Sequence, residues 1–376
     1  MGLFQKHELV KLLLKSHPGM FQSTFNYIAE KAHFVAHTTL PRMLSLSLVE
    51  GCNLACSMCG QWRRAVILGS RPGERFLPLQ KVKDLADEVA SHGTEIYVWG
   101  GEPTLHSDFG EIISYVKDKG IVCAVNTNGL LLRDFVEVIL RSKIDSLYVS
   151  LDGPANIHDS IRGRKGTYAK VMDGLAKLHK NGAGKRPLVV AQITLSKSNL
   201  RHVEQLLWEL EKNDAVDMSI VQLGWFVTTE VGTNYERRIK EDFGSEGSSW
   251  IGFRDDMASE RAREIRELVY RIKCAEFRKP ILFFPSLRQG MIERYYVDHS
   301  DSFGRKRCGS IYRRLEIRPN GDAVVCFDFP DIVVGNVYEQ TIAEIWTGNQ
   351  LRKFRRNLRN KGLLPICTRC CGLFRG

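Results

Sequence analysis

Residues 43–60 read Met43-Leu44-Ser45-Leu46-Ser47-Leu48-Val49-Glu50-Gly51-Cys52-Asn53-Leu54-Ala55-Cys56-Ser57-Met58-Cys59-Gly60. A β-rich run, Met43 to Val49, leads straight into a loop whose three cysteines are spaced C-x3-C-x2-C. Three thiolates that close together can surround one corner of a cubane iron-sulfur cluster while the chain stays a loop, because each ligates a different iron. The fourth iron is then open to a substrate, whereas a cluster held by four cysteines mostly moves electrons or supports structure. Zinc is the alternative, but three cysteines without a nearby histidine do not complete a closed tetrahedral site. His92 and His106 are distant in sequence.

Outward from this loop, short β-rich runs alternate with amphipathic stretches. Strands are expected at Met43 to Glu50, Glu95 to Trp99, Val122 to Asn126, Ser146 to Leu151, Leu188 to Thr194 and Met218 to Leu223. Helical patterns such as Leu79 to Ala90, Phe109 to Lys119 and Tyr168 to Lys180 lie between them. Six βα units in series imply parallel strands with right-handed crossovers. Sites in such folds gather at the carboxyl ends of the strands. Gly100-Gly101-Glu102-Pro103 follows the second strand, Asn126-Thr127-Asn128-Gly129 the third, and Ser150-Leu151-Asp152-Gly153 the fourth, with Arg162 a little further on. Taken singly, each is a turn or a helix start. In order, on successive strand ends, they point to one site.

The cysteine loop and Gly-Gly-Glu-Pro together resemble the radical S-adenosylmethionine (SAM) superfamily. The resemblance implies an α/β fold, a partial (β/α)6 barrel of TIM type. It implies that Cys52, Cys56 and Cys59 hold a [4Fe-4S] cluster whose open iron chelates the amino and carboxylate groups of SAM. Reduction, by a flavodoxin- or ferredoxin-type donor, would cleave SAM to methionine and a 5'-deoxyadenosyl radical that abstracts hydrogen from a substrate. Gly100, Gly101, Glu102 and Pro103 are then expected at the SAM ammonium, with Asn128, Ser150, Asp152 and Arg162 shaping the rest of the site. The residue before the third cysteine is often aromatic in that family. Here it is Met58, so adenine packing is expected from Met58, Trp62 or Leu223.

A second cysteine group, Cys308, Cys326, Cys367 and Cys370 with Cys371 adjacent, lies near the end of the chain. Leu315 to Cys326 reads as a hairpin turning at Pro319-Asn320-Gly321-Asp322, its second strand delivering Cys326. The order resembles the SPASM/twitch extension behind many radical SAM barrels, here with five cysteines rather than about seven. The resemblance implies one auxiliary [4Fe-4S] cluster on Cys308, Cys326, Cys367 and Cys370, with Cys371 as the substitute for Cys370 and zinc as the fallback metal. Asp328 and Glu316 are candidates for a substrate base. Cys123 and Cys274 stand alone and read as buried apolar thiols.

These features divide the chain into a helical extension (1–41), the barrel (42–224), a linker or lid (225–300) and a cluster domain (301–376). The extension spaces its apolar residues helically and carries Lys6, Lys11 and Lys15, so it either packs on the barrel or touches a membrane surface. The 376 residues, 43% hydrophobic and 26% charged, exclude a disordered or collagen-like chain. Nothing at the start reads as a signal peptide and no apolar run is long enough to span a bilayer, so a reduced cytoplasm is expected, with contact at a membrane surface as an option. The net charge of +11 would suit RNA, anionic lipid or an acidic substrate and selects none, so nucleic acid is not an expected partner. A single auxiliary cluster resembles twitch-type dehydrogenases of amino sugars, which favours oxidation of a sugar-like molecule. Modification of a lipid, isoprenoid or peptide follows, and an iron-sulfur electron carrier is the non-enzymatic alternative.

Overall fold

The computed structural model describes residues 39–71, 73–224 and 226–374. Nearly all of the expected N-terminal extension, its membrane contact included, lies outside the described residues, as does Trp225. Six strands occupy the expected places: β1 (Met43–Ser47), β2 (Glu95–Trp99), β3 (Cys123–Thr127), β4 (Ser146–Ser150), β5 (Leu188–Thr194) and β6 (Met218–Gln222). A further strand, β7 (Ile281–Phe284), follows, and then β8 (Arg314–Ile317), β9 (Asp322–Val324) and β10 (Val333–Asn336). All ten belong to one sheet in the order β10-β9-β8-β1-β2-β3-β4-β5-β6-β7. Neighbours from β1 to β7 run parallel, and β8 also joins β1 in parallel, Met43 opposite Arg314 and Leu46 opposite Ile317. Only β8-β9 and β9-β10 are antiparallel, as the hairpin reading requires.

The pleat sorts the strand residues by face. Leu44, Leu46, Val98, Val125, Leu147, Val149 and Ile193 are buried against the helices, where Val82, Leu85, Ile112, Val116, Val136 and Leu175 meet them. Each such side chain stabilises the fold by roughly 1.5–3 kcal/mol relative to leaving it exposed. The alternate residues Ser47, Trp99, Asn126, Ser150, Gln192 and Thr194 face the other way and line a cavity. The barrel interior is therefore polar toward its carboxyl end, which is what a binding site needs and a packed core does not.

The stretch read as a linker carries β7 and the helices Thr229–Phe243, Ala262–Cys274 and Gln289–Val297. Four apolar residues bounded by Pro280 and Pro285 give β7 too little periodicity to stand out in sequence. Cys123 is buried as expected, but Cys274 is exposed. Ile265, Leu268, Val269 and Ile272 take the inward stripe of its helix, and Cys274 falls on the opposite face. No helix among the described residues is long and apolar enough to cross a membrane.

Candidate active site

A cavity of about 1170 Å³ opens at the carboxyl ends of the parallel strands. The cysteine loop forms one wall. Cys59 is the N-cap of helix Gly60–Ile67, its Sγ accepting from the Trp62 backbone N–H at 3.5 Å. Cys56 Sγ accepts from Arg162 Nη1 at 3.6 Å, and Cys52 Sγ from Asn128 Nδ2 at 3.7 Å. Each sulfur thus meets at least one N–H donor, the environment that charged thiolate ligands require. Burial pushes the bare Cys52 thiol up to about 12, so a bound cation is what would keep it deprotonated. The donor set therefore fits an iron-sulfur cluster.

The Gly-Gly-Glu-Pro turn is pressed against the root of that loop. Gly100 has φ +145, and a Cβ there would lie 2.7 Å from the Val49 carbonyl oxygen; a Cβ on Gly101 would lie 1.9 Å from that of Gly51. Side chains are excluded at both positions. Glu102, 1% exposed, accepts from Thr104 Oγ1 at 2.6 Å, Thr127 Oγ1 at 2.7 Å and the Asn128 backbone N–H at 2.7 Å. Burial pushes its carboxyl up while these bonds pull it down. Its carboxylate is a brace between the ends of β2 and β3. The brace fixes Asn128, whose Nδ2 also reaches Asn53 Oδ1 at 2.8 Å in the cysteine loop. Pro103 is buried and starts a short turn of 3₁₀ helix.

Ser150, Met58 and Trp62 line the cavity, and so does Arg162. Asp152 is fully buried behind Arg162, bonded to its guanidinium and to the Thr194 N–H at 3.0 Å. Asp152 thus holds Arg162 rather than meeting a ligand. Burial and the Arg162 charge push the neighbouring His158 down to about 4, so it is neutral. Leu223 does not line the cavity: its N–H bonds to the Phe284 carbonyl at 2.7 Å, and the pairing with β7 draws it into the core.

The second cysteine group does not itself line the cavity. Cys326 follows β9, and burial, then Cys367 and Cys308, push its thiol well up. Cys370 is raised first by its bond with Cys371. Cys371 donates to Asp328 Oδ2 at 3.1 Å, whereas Cys370 Sγ accepts from the Gly372 N–H at 3.4 Å. The ligand atoms of Asp328, Cys370 and Cys371 all lie within 4.8 Å of one another. Asp328 and Phe327 line the cavity, with Phe327 stacked on Trp99 at 6.1 Å between centroids. Glu316 is fully buried on β8 and does not reach the cavity, although its partner Arg318, at 3.2 Å, does.

One group escaped the sequence reading. Arg63, Arg64, Arg71 and Arg254 line the cavity; among the described residues the first three form no ion pair, while Arg254 has Asp256 as a charged neighbour. Arg63 donates to the Arg254 carbonyl at 3.0 Å and Arg64 to Ser248 Oγ at 3.0 Å. The adjacent pair Arg63-Arg64, four residues after the third cysteine, was the available signal.

Comparison with known proteins bears on both cysteine groups. The model of the radical SAM superfamily matches residues 46–207, and that of the SPASM iron-sulfur cluster-binding domain matches residues 308–371. The AdoMet-dependent heme synthase of Methanosarcina barkeri is 28% identical over 337 residues, 89% of this chain and 90% of that protein. The sporulation killing factor maturation protein SkfB of Bacillus subtilis is 25% identical over 324 residues, 85% of this chain and 68% of that protein. The crystal structure of Streptococcus suis SuiB bound to S-adenosylmethionine shares the fold, with a TM-score of 0.61 at 18% identity, covering 94% of this chain and 76% of that one. Each family match contributes residues to the wall of one cavity, Cys52, Cys56 and Cys59 from the first and Phe327 and Asp328 from the second. The chain accordingly belongs to the radical SAM superfamily, as an enzyme with a SAM-binding [4Fe-4S] cluster and an auxiliary cluster in a SPASM-type domain.

Proposed function

We propose that this enzyme oxidises a substrate bearing several carboxylates, a tetrapyrrole of the coproporphyrin kind, by hydrogen abstraction. The observation that carries the reading is the set of three arginines with no ion-pair partner among the described residues, Arg63, Arg64 and Arg71, with Arg254 beside Arg63, on one wall of a cavity of about 1170 Å³. Guanidinium groups in such a wall match carboxylates by paired N–H donors. The volume exceeds the usual range for one drug-sized ligand, so SAM and a large second molecule fit together. The similarity to the heme synthase supports the same class, whereas oxidation of an amino sugar finds no support among the relatives.

In this reading Cys52, Cys56 and Cys59 hold the SAM cluster. Cys308, Cys326, Cys367 and Cys370 hold the auxiliary one. Cys370 is preferred to Cys371 because its sulfur accepts an N–H, while that of Cys371 donates to Asp328. The clusters supply the electron that cleaves SAM and an acceptor for the electron left when a substrate radical loses a proton or carbon dioxide. The main chain of Gly100 and Gly101 meets the SAM ammonium, since Glu102 is engaged by its neighbours. Ser150 and Arg162 orient the carboxylate or ribose, and Met58 and Trp62 flank the adenine. Asp328, on the cavity wall, is the base that takes the substrate proton.

The test is anaerobic turnover with dithionite and SAM, following 5'-deoxyadenosine and substrate by mass spectrometry. Iron coproporphyrin should stimulate 5'-deoxyadenosine formation and lose mass, and Arg63→Gln and Arg254→Gln should each raise its KM roughly tenfold, the loss expected for one charge-assisted hydrogen bond. Stimulation by a peptide instead would favour the second reading, maturation of a peptide, which the similarity to SkfB supports. No response to the tetrapyrrole overturns the first.

A further inference from the structure

The loops carrying the two cysteine groups are far apart in sequence, yet a third segment bolts them together. Five residues after Cys326, Asp331 reaches into the turn Ser249–Phe253. Its Oδ1 accepts from the Ser249 backbone N–H at 3.1 Å, and its Oδ2 accepts from the Ser249 hydroxyl and from Tyr235 Oη at 2.7 Å. Phe329, from the same loop, packs edge-on against Phe253 with centroids 5.5 Å apart. The turn is held from behind by Trp250, whose Nε1 donates to Glu236 Oε1 at 2.9 Å.

The other face of the turn lies on the helix that Cys59 caps. A Cβ on Gly60 would sit 2.3 Å from the Phe253 ring, and one on Gly252 would sit 1.8 Å from the Gly60 carbonyl oxygen. Two glycines thus allow backbone to touch backbone one residue from a candidate cluster ligand. Arg63 and Arg64 fasten the same helix to Arg254 and Ser248. Ser249, Phe253 and Arg254 themselves line the cavity. The contacts form an unbroken series from the loop after Cys326, through Asp331, Ser249 and Phe253, to Gly60 and Cys59.

We propose that Asp331 is a positioning residue: by pinning Ser249–Phe253 it makes the cluster loop at Cys52–Cys59, and so SAM binding, depend on the folded loop of the auxiliary cysteines. The inference rests on the family assignment and not on the identity of the substrate. Nothing in the chemistry of Asp331 calls for contact with SAM. Its effect passes through the turn.

The experiment uses the holoenzyme with both clusters loaded and compares the parent with Asp331→Ala and Ser249→Ala. In Asp331→Ala, loss of a charged acceptor shared by three donors should raise the KM for SAM about tenfold, with kcat for 5'-deoxyadenosine at saturating SAM within about twofold. Hydrogen exchange should quicken in residues 60–67 and leave β2 to β5 unchanged, and the change that SAM causes in the electron paramagnetic resonance spectrum of the reduced cluster should be altered. Ser249→Ala removes one of the three bonds from the other side and should shift KM and exchange in the same direction by less. Wild-type KM, exchange and spectrum in Asp331→Ala would overturn the proposal, as would exchange raised throughout the barrel. Should Asp331→Ala fail to fold or to keep its iron, Ser249→Ala decides the matter, and parent-like KM and exchange there would refute the tie.

Discussion

Glu316 shows what one buried carboxyl does to the whole protein. It lies on β8 opposite Ser45 of β1, fully buried, with Arg318 beside Oε1 and no hydrogen-bond partner for Oε2. Burial pushes it up to about 8 from an ordinary 4.5, against the pull of Arg318. Between those values the folded chain keeps a proton that the unfolded chain has released, so stability falls as pH rises from about 4.5 through about 8. Glu316→Gln should flatten that slope and gain on the order of 1–4 kcal/mol at pH 8. Urea midpoints at pH 5.5 and pH 8 measure it, and a variant with the parental slope would contradict the account. The same burial removes Glu316 as a base for substrate and leaves Asp328, which is on the cavity wall. Among single residues, the cysteines were legible because their chemistry and spacing are local. Arg254 was not, because only folding brings it beside Arg63, 191 positions away.

At the scale of elements, the helix Gly60–Ile67 and the turn Ser249–Phe253 form one joint, and its tolerance is small. Gly60→Ala would drive a methyl into the Phe253 ring, which also packs edge-on with Phe329. Overpacking of this kind costs typically about 1–3 kcal/mol. The variant should melt lower and make 5'-deoxyadenosine more slowly, because the helix begins at Cys59. Phe253→Leu should restore much of both losses when combined with Gly60→Ala, since it shortens the group that the methyl meets. A double variant no better than Gly60→Ala would place the damage elsewhere. The strand-end motifs were readable one by one, and their order implied convergence. The sequence did not disclose that Glu102, on the cavity wall, also braces Thr127 and Asn128, because its partners come from the end of another strand.

At the scale of the molecule, the alternation of β and α patterns made the parallel strands legible, and a Pro-Asn-Gly-Asp turn made the hairpin legible. Neither disclosed that the hairpin continues the barrel sheet. Pairing between Met43 and Arg314 leaves no mark in either segment, since β1 and β8 each read as an ordinary strand alternating apolar and polar residues. The consequence is physical. Without β8, the N–H and C=O groups of β1 would be unpaired along one edge, and Leu44 and Leu46, now fully buried, would lose Leu315 and Ile317 from the adjoining strand of the same core. Lys81 Nζ bonded to the Val337 carbonyl, and the Ala343 N–H bonded to Glu88, fasten the same region to helix Leu79–Val89. An exposed apolar edge of this kind pairs with other chains. A chain ending at residue 300 should therefore aggregate or stay unfolded rather than yield a free-standing barrel, even though Cys52, Cys56 and Cys59 and every strand from β1 to β7 remain. Size-exclusion chromatography and a circular-dichroism melt of the shortened chain measure this. A soluble monomer with a cooperative transition and three-cysteine iron loading would mean that the cluster domain is an appendage, and that β1 needs no partner on that side.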